Sequence, residues 1–373
     1  MNYKVLKDIA KITMGQSPDS SSYNDSRDGL PFFQGNADFG EVYPTERVWC
    51  NSPKKIAHAD DILISVRAPI GALNYAKEKC CIGRGLAAIT IDDETERNYV
   101  FHLLKARIND LNNKGTGSTF KAIGKNVIED ILVPQISRDE QQKSMDIMDL
   151  LESIIRQRRN ELEKLDELIK ARFVEMFGHP QINPFGYDMK ELGKTCKVIT
   201  GNTPSRKISE FYGDYIEWIK TDNIVSGLLN PTEAVECLSE LGAKEGRIVN
   251  ENAILMACIA GSITSIGRVC VTNRSVAFNQ QINAIVPEQY NILFLYILLQ
   301  ISKEYLVKDI NMALKGILSK SKLEEKVFFV PSIEQQNQFA KFVKQVDKSK
   351  AEVRKAIDET KLLFDSLMQN YFG

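Results

Sequence analysis

The stretch ILVPQISRDEQQ at residues 131–142 returns in similar form as FFVPSIEQQ at residues 328–336. Each copy has an apolar run, a proline and then the sequence Glu-Gln-Gln at the start of a long polar segment. The residue before a proline favours extended backbone. Acidic side chains in a first helical turn satisfy free amides and stabilise the helix dipole. The phrase therefore predicts, twice in one chain, the point where a strand leaves a globular part and a long helix begins.

Further matching blocks accompany the phrase in the same order, at offsets between 186 and 196 residues. The pairs are ITMGQSP at 12–18 with VITGNTP at 198–204, LPFFQGNAD at 30–38 with IEWIKTDNI at 216–224, DILISV at 61–66 with NAILMAC at 252–258, LAAI at 86–89 with INAI at 282–285, and RFVEMFG at 172–178 with SLMQNYFG at 366–373. One order with small insertions and deletions indicates an internal duplication, which has to be found before a fold is assigned.

Each copy of the duplicated module has a globular part and a helical part. The sequence predicts globular domains at residues 1–138 and 179–333, and long helices at residues 139–178 and 334–373. The globular parts contain short β-like runs separated by Gly, Pro, Asn and Ser, and each contains one apolar-periodic helix. Short strands with turn signals and a few helices are typical of a mixed α+β domain.

The two helical parts carry heptad patterns and lack Gly and Pro from residue 139 to 177 and from 334 to 372. Sustained apolar a and d positions predict a coiled coil, although a helix lying alone on its own domain is an alternative. Because the helices belong to related modules, we expect them to pair with each other, antiparallel about a pseudo-twofold axis. The apolar core positions are Leu151, Ile155, Leu162, Leu165, Ile169, Met176, Val346, Val353, Ile357, Phe364 and Leu367, and the heptad also includes the polar residues Arg158, Arg172, Lys350 and Thr360.

Composition is that of an ordinary globular protein, with 43% hydrophobic residues and a net charge of −1. The longest apolar run, at residues 292–301, is about half the length that spans a bilayer, which predicts a buried helix and no membrane association. No signal peptide is visible at the amino terminus. The seven cysteines are odd in number and form no C-x-x-C, which favours free buried thiols over zinc or disulfides. We therefore expect a cytoplasmic protein without a metal site.

Motifs for catalysis fail their structural tests. The sequence contains no G-x-x-x-x-G-K-[ST], and GRGLAA at 83–88 leads into a strand-like run instead of a helix. INPFGY at 182–187 lacks the second proline of a methyltransferase base pocket. These observations predict a non-catalytic chain that binds no cofactor, and leave an enzyme with unfamiliar motifs as an alternative.

The repeated pattern resembles the specificity subunit of type I restriction–modification systems, over the whole chain. The matching elements are the turns Gly15–Pro18 and Gly201–Pro204, the aromatic-polar blocks Phe32–Asn36 and Trp218–Asn223, GSTFKAIGK at 117–125 and the two helix entries. The second copy departs from this pattern with LKGILSK in place of GSTFKAIGK, which leaves the equivalence of these loops open.

The resemblance implies two target recognition domains, each followed by a spacer helix, that bind a bipartite, asymmetric double-stranded DNA target with an unread gap. It also implies two partner methyltransferase subunits, which bind S-adenosylmethionine, and allows restriction subunits as further partners. A stand-alone bipartite DNA-binding regulator is the alternative. The near-neutral charge predicts weak DNA binding by the chain alone, with phosphate contacts supplied by partners.

Base recognition requires side chains with paired donors and acceptors, namely Arg and Lys for guanine and Asn and Gln for adenine. Because phosphate and structural contacts outnumber base contacts, we expect half or more of the polar loop residues to serve other roles. The DNA-binding candidates in the first domain are Gln16, Ser17, Gln34, Asn36, Arg67, Arg84, Thr116, Ser118 and Lys121. Those in the second domain are Asn202, Thr203, Ser205, Arg206, Lys207, Lys220, Asp222, Asn223, Gln280, Gln281 and Lys315.

Overall fold

A computed structural model of the chain describes residues 2–117, 121–308, 310 and 316–372. The chain divides into two compact units, the first made of residues 1–158 and 356–373 and the second of residues 159–355. Each of the two long helices therefore contributes one part of its length to each unit.

The first unit contains two main sheets and a two-stranded ribbon. Its strands are β1 (Asn2–Val5), β2 (Lys11–Met14), β3 (Tyr23–Asn24), β4 (Leu30–Phe33), β5 (Trp49–Cys50), β6 (Ile56–Ala57), β7 (Ile62–Ser65), β8 (Leu73–Tyr75), β9 (Cys80–Ile82), β10 (Leu86–Thr90) and β11 (Leu132–Gln135). Its helices are α1 (Glu94–Ala106), α2 (Ile108–Asn113), α3 (Lys125–Glu129), the first part of α4 (Arg138–Phe177) and the last part of α9 (Ile333–Phe372). One sheet has the order β2-β10-β7-β8, the other has the order β3-β5-β4-β9-β6, and β1 pairs with β11.

The second unit repeats this topology. Its strands are β12 (Asp188–Glu191), β13 (Cys196–Thr200), β14 (Tyr212–Gly213), β15 (Ile216–Ile219), β16 (Cys237–Leu238), β17 (Ile248–Val249), β18 (Ile254–Ala257), β19 (Ile259–Ala260), β20 (Val269–Val271), β21 (Val276–Phe278), β22 (Ile282–Pro287), β23 (Gly316–Ile317) and β24 (Val327–Val330). Its helices are the last part of α4, α5 (Glu240–Glu245), α6 (Ile292–Ile301), α7 (Lys303–Val307), α8 (Lys320–Glu324) and the first part of α9 (Ile333–Phe372). The sheet orders are β13-β22-β18-β20 and β14-β16-β15-β21-β17, β12 pairs with β24, and β19 pairs with β23.

The shared topology confirms the internal repeat and the mixed α+β class. In both units one pair of strands is parallel, β4 with β9 and β15 with β21, within otherwise antiparallel sheets. The single apolar helix expected in each globular part is interrupted, at Arg107 between α1 and α2 and at Ser302 between α6 and α7. Both residues have ψ near zero, outside the helical range, and this ends the first helix of each pair.

A serine caps the amino-terminal end of each long helix. Ser137 and Glu140 form a capping box at the start of α4, in which the Ser137 N–H donates to Glu140 Oε2 (2.9 Å) and the Glu140 N–H donates to Ser137 Oγ (3.3 Å). Ser332 and Gln335 form the same reciprocal pair at the start of α9. The next residue, Gln336, is fully buried, and its Oε1 accepts a hydrogen bond from the Asn291 N–H (2.8 Å), which ties the helix to the sheet domain.

In the first unit, α4 and α9 run antiparallel. His102 of α1 lies 3.2 Å from Asp149 of α4 and stacks against Phe372 at the end of α9. Further along α4, Arg158 Nη1 donates to Thr360 Oγ1 (2.7 Å) and to the Ala356 carbonyl. As the numbering along α4 rises, the contacted numbers along α9 fall, so the expected antiparallel pairing is confirmed here.

In the second unit, the other halves of the helices pair in the same sense. Lys350 of α9 is buried, and its Nζ donates to Asp166 Oδ1 of α4 (2.5 Å). Closer to the end of α4, Phe173 packs edge-on against Phe339 near the start of α9. None of the eleven predicted core positions is exposed in either unit.

The buried stripe near the end of α4 differs from the heptad pattern. Ile169, Phe173 and Phe177 are buried, whereas Arg172 is half-exposed and pairs with Glu175 (2.7 Å). At about 3.6 residues per turn, each step of four residues moves the buried stripe by about 40° around the helix, away from the stripe of the heptad pattern. The stripe changes because this part of α4 packs into the core of the sheet domain, beside Phe294 and Phe329.

Candidate nucleic-acid interface

In the first unit, several strand ends meet at one edge of the sheets. The last residue of β2, Met14, pairs with the start of β10, and the last residue of β7, Ser65, pairs with Leu86, also at the start of β10. The parallel pairing of β4 with β9 brings the loop after Phe33 to the same place. We call this surface the first loop edge; it consists of residues 15–18, 34–38, 66–68, 83–85, 116–117 and 121–123.

Backbone hydrogen bonds hold these loops together. The Gly15 N–H donates to the Leu86 carbonyl (2.8 Å), and the Gly83 N–H donates to the Phe33 carbonyl (2.8 Å). The remaining bonds of this set are Gln16 N–H to Ile82 O, Val66 N–H to Gly85 O and Ile123 N–H to Val66 O.

The second unit has the same hydrogen-bond set at equivalent positions. It consists of Gly201 N–H to Ile282 O, Asn279 N–H to Ile219 O, Asn202 N–H to Phe278 O, Cys258 N–H to Gln281 O and Leu318 N–H to Cys258 O. We call this surface the second loop edge; it consists of residues 201–207, 220–224, 258–260, 279–281 and 316–318. The two edges thus share one backbone arrangement.

This arrangement settles which loops correspond at GSTFKAIGK and LKGILSK. Arg67 forms a β-bridge with Ala122 in the first unit, and Ile259 forms a β-pair with Ile317 in the second. The two pairs occupy equivalent places, so GILSK at residues 316–320 is the counterpart of KAIGK at residues 121–125 despite its different sequence. The exposed Arg67 has an apolar counterpart in the second unit.

Each Gly-x-[Ser/Thr]-Pro turn requires a glycine because the turn lies very close to the backbone of the facing loop. A Cβ on Gly15 would lie 2.1 Å from the Gly83 carbonyl oxygen, and a Cβ on Gly201 would lie 2.2 Å from the Asn279 carbonyl oxygen. Real Cβ atoms do not come this close to backbone atoms, so any other residue would push the turn away from the facing loop.

Polar candidates in the first loop edge form two neighbouring groups. Ser17 Oγ donates to Gln34 Oε1 (3.1 Å) and accepts from the Arg84 N–H (3.3 Å), which brings three candidates together. The second group is Arg67, Thr116 and Lys121, which adjoin through the backbone pairs of Ala122 and of Ala68. Gln16 is exposed beside the first group, and Asn36 is half-buried in the turn after Gln34. Ser118 lies outside the described residues.

In the second loop edge, a carboxylate that the sequence did not indicate holds two candidate cations. Glu236 Oε2 accepts from Arg206 Nη2 (2.6 Å), and Glu236 Oε1 accepts from Lys220 Nζ. The Arg206 guanidinium lies 4.4 Å from the ring centre of Tyr212 and 5.0 Å from that of Trp218. Hydrogen bonds from Lys220 and Arg206 lower the pKa of Glu236, so the carboxylate is charged at neutral pH.

Three of the amide candidates in the second loop edge bond to the protein itself, Asn202 and Asn223 through both ends of the amide. Asn202 donates to the Glu245 carbonyl (2.8 Å) and accepts from the Arg247 N–H (2.7 Å). Asn223 accepts from the Lys220 N–H (2.9 Å) and donates to the Glu233 carbonyl, and Gln281 accepts from the Asn279 side chain. These contacts indicate that the three amides stabilise the loops.

The turn at Asn223 also shows where the repeat changes length. Asp38 in the first unit accepts the Gln34 N–H as Asn223 accepts the Lys220 N–H in the second. The offset of these partners is 185 residues, one less than the 186 of the preceding strands, because the first unit has one more residue between the strand and this turn. The constant offset assumed over residues 30–38 and 216–224 therefore holds for the strands and not for the turn.

Thr203 and Gln280 complete the second loop edge, joined by a hydrogen bond from the Thr203 hydroxyl to Gln280 Oε1. Ser205, Lys207 and Asp222 are exposed on the adjoining turns. Lys315 lies outside the described residues.

The cysteines form no part of either loop edge's polar surface. All seven are free, and only Cys237 is not fully buried. Burial raises the pKa of the Cys258 thiol to about 12, so this thiol is protonated at neutral pH and is a poor nucleophile.

Within the described residues no cluster of three or more His, Cys, Asp and Glu side chains has metal-binding geometry. No helix of the described part of the chain is both long and apolar enough to cross a membrane.

The chain is similar to known proteins in family, in sequence and in fold. The family model of the type I restriction modification DNA specificity domain matches residues 1–164 and 184–360. The putative type I restriction enzyme MjaX specificity subunit of Methanocaldococcus jannaschii is 42% identical over 161 residues, which make up 43% of this chain and 38% of that protein. The type I restriction enzyme MjaIX specificity subunit of the same organism is 24% identical over 364 residues, which make up 88% of this chain and 82% of that protein.

Solved structures extend the likeness to the fold of the whole chain. The type I restriction-modification S subunit of M. genitalium matches all of this chain and 96% of its own, with a TM-score of 0.56 at 13% identity. A chain from a structure describing complex assembly and conformational transition of the type I R-M system matches with a TM-score of 0.63 at 16% identity, covering 100% and 97% of the two chains. Since the family model covers most of the sequence, the chain belongs to the type I restriction–modification DNA specificity family, whose members are DNA-recognition components and not catalytic subunits.

Proposed function

We propose that the chain recognises a bipartite, asymmetric DNA target, in which residues 1–138 contact one half, residues 179–333 contact the other, and the bases between them are not read. The observation that carries the proposal is the pair of loop edges, which share one backbone arrangement and differ in their side chains. Because donors and acceptors on side chains distinguish base pairs in the major groove, two different sets predict two different half-targets. The corresponding side chains are Ser17 and Thr203, Gln34 and Lys220, and Arg84 and Gln280.

We further propose that the chain directs two methyltransferase subunits to this target, each carrying its own S-adenosylmethionine, with restriction subunits as further partners. The spacer helices, residues 139–178 and 334–373, offer repeated apolar positions to such partners. Leu168 and Leu363 occupy equivalent places in the repeat and are 47% and 49% exposed. An exposed apolar position that recurs in both copies suits two copies of the same partner.

Exchanging residues 179–333 for the corresponding region of another family member should change one half of the methylated target and leave the other half intact. The chain would be co-expressed with its methyltransferase subunit in a host that lacks other methylation, and the methylated sequence would be read by methylation-sensitive sequencing. We expect the purified complex to contain two methyltransferase subunits per chain.

The matched control is the reciprocal exchange of residues 1–138, which should change the other half alone. A change of both halves by either exchange would contradict the assignment of one half to each domain. Methylation that does not depend on the chain would contradict its role in directing the partners.

Replacing Glu236 by glutamine should increase the affinity of the complex for DNA of any sequence. The substitution removes the negative charge that holds Arg206 and Lys220, and both cations then become free to bind phosphates. Each added phosphate contact steepens the slope of log K against log salt by about 0.9, so two contacts would steepen it by about 1.8. Titration of a non-target duplex at several salt concentrations measures both the affinity for DNA and the slope of log K against log salt.

Glu251→Gln provides the control, because it makes the same change in net charge at an exposed position beside the opposite end of β18. An equal rise in affinity in both variants would mean that net charge alone is responsible, and that Glu236 does not restrain the two cations.

A further inference from the structure

Both loop edges contain a hydrogen bond between a hydroxyl and a glutamine, but the two glutamines come from different loops. In each edge a hydroxyl of the Gly-x-[Ser/Thr]-Pro turn donates a hydrogen bond to the amide oxygen of an exposed glutamine. Ser17 Oγ donates to Gln34 Oε1 (3.1 Å), and Thr203 Oγ1 donates to Gln280 Oε1. Ser17 and Thr203 are equivalent in the repeat, so one position supplies the hydroxyl in both units.

The two glutamines come from loops that are not equivalent. Gln34 follows β4, where the second unit has Lys220, and Gln280 lies between β21 and β22, where the first unit has Arg84. Each edge therefore presents one amide and one cation in this pair of positions, with their places exchanged. The hydroxyl pairs with the amide in both cases, although the amide has moved to the other loop.

The hydrogen bond to Oε1 determines what each amide presents to solvent. A carboxamide has two acceptor sites on its oxygen and two donors on its nitrogen. When one acceptor site is taken by the hydroxyl, the rotation of the amide is restricted, and the two N–H donors and one acceptor site remain available. A donor and an acceptor side by side are what the major-groove edge of adenine requires, through N7 and the N6 amino group.

Space around Gln34 is also adapted to its amide. A Cβ on Gly83 would lie 2.5 Å from Gln34 Oε1, so this glycine leaves room for the amide above the facing loop. In the second unit, where Lys220 replaces Gln34, the position of Gly83 is occupied by Asn279.

We infer that Gln34 and Gln280 each read an adenine in the half-target of their own domain, and that Ser17 and Thr203 are positioning residues that hold these amides. The inference rests on the proposed recognition of DNA by the loop edges. Because the two glutamines come from loops that are not equivalent, the two adenines lie at different positions relative to their domains. Because the hydroxyl already holds the amide in the free protein, the glutamine side chain loses less conformational entropy when DNA binds.

The test uses the complex with its methyltransferase subunits and a duplex carrying the target that methylation-sensitive sequencing identifies. Each adenine of the second half-target is replaced in turn by 7-deazaadenine, which lacks the N7 acceptor and keeps the N6 amino group. Replacement of one particular adenine should lower the affinity of the wild-type complex for the duplex by about 2- to 12-fold, which corresponds to the loss of one hydrogen bond. With Gln280→Ala that same replacement should cause no further loss.

Variants of Thr203 separate positioning from direct contact. Thr203→Val keeps the shape and removes the hydroxyl, and should reduce affinity for the target by about 2- to 12-fold, the cost of ordering one free side chain. Thr203→Ser restores the hydroxyl and should restore wild-type affinity. In the first domain, Gly83→Ala should displace the Gln34 amide and weaken discrimination in the first half-target alone.

If the complex selects a bipartite target but Gln280→Ala leaves every 7-deazaadenine effect unchanged, the assignment of the glutamines is overturned and DNA recognition by the two domains stands. Equal affinities of the Thr203→Val and Thr203→Ser variants would overturn the positioning role. If the wild-type complex selects no bipartite target, the proposed function itself fails.

Discussion

Replacing Phe173 by alanine should lower the free energy of unfolding of the second unit by about 3–5 kcal/mol, the usual cost of deleting a buried phenylalanine ring. Phe173 is fully buried, and its ring lies 5.2 Å from that of Phe177 and 5.4 Å from those of Phe294 and Phe339. These contacts join α4, α6 and α9, so the cavity would open where the long helices enter the sheet domain.

Tryptophan fluorescence can follow this unit within the full chain. The chain has two tryptophans, and Trp218, which lies in the second unit, is buried. In a Trp49→Phe background, denaturant unfolding monitored by fluorescence therefore reports on the second unit. Val174→Ala is the control, because this neighbouring side chain is 44% exposed and should change stability by less than about 0.5 kcal/mol. Equal losses in the two variants would show that the end of α4 does not pack into the core.

Replacing Gly201 by alanine should destabilise the second loop edge by about 2–3 kcal/mol and abolish selection of the second half-target. The added Cβ would lie 2.2 Å from the Asn279 carbonyl oxygen, so the turn has to move away from the loop at residues 279–281. That movement breaks the hydrogen bonds from the Gly201 N–H to Ile282 and from the Asn202 N–H to Phe278, and a buried polar group left unpaired costs about 1–3 kcal/mol.

Gly261→Ala is the matched control for stability, since no atom lies within 4 Å of a Cβ placed there. The same fluorescence measurement gives the stability of both variants, and methylation-sensitive sequencing gives the selected target. If Gly201→Ala retains full stability and selects both half-targets, the close approach of these two loops is not needed for recognition.

The sequence by itself determined the duplication, the mixed α+β class and the two long helices. These features have local causes: a proline and a capping serine fix where a helix begins, and an apolar period fixes which of its faces is buried. The sequence also pointed to the polar loop positions, because residue types that bind bases stand next to turn residues at the ends of predicted strands.

The tertiary structure decided which of these polar residues are available. Asn202 and Asn223 have the chemistry of base readers, yet both the oxygen and the nitrogen of each amide are bonded within its own unit. Glu236 lies 16 residues from Lys220 and 30 from Arg206, in a segment without a motif, and it restrains both cations. Side-chain hydrogen bonds between distant segments depend on how strands pair and loops approach, and no spacing in the sequence encodes them.

The same physical reason applies to the paired hydroxyl and amide. Thr203 and Gln280 are 77 residues apart, and they meet because β15 pairs in parallel with β21 while β22 pairs with both β13 and β18. The inward stripe of α4 likewise passes through Phe173 instead of Arg172, because this part of the helix packs against a sheet domain as well as against α9. Local patterns determined the elements of this protein, and the pairing of remote strands determined which side chains its two loop edges present.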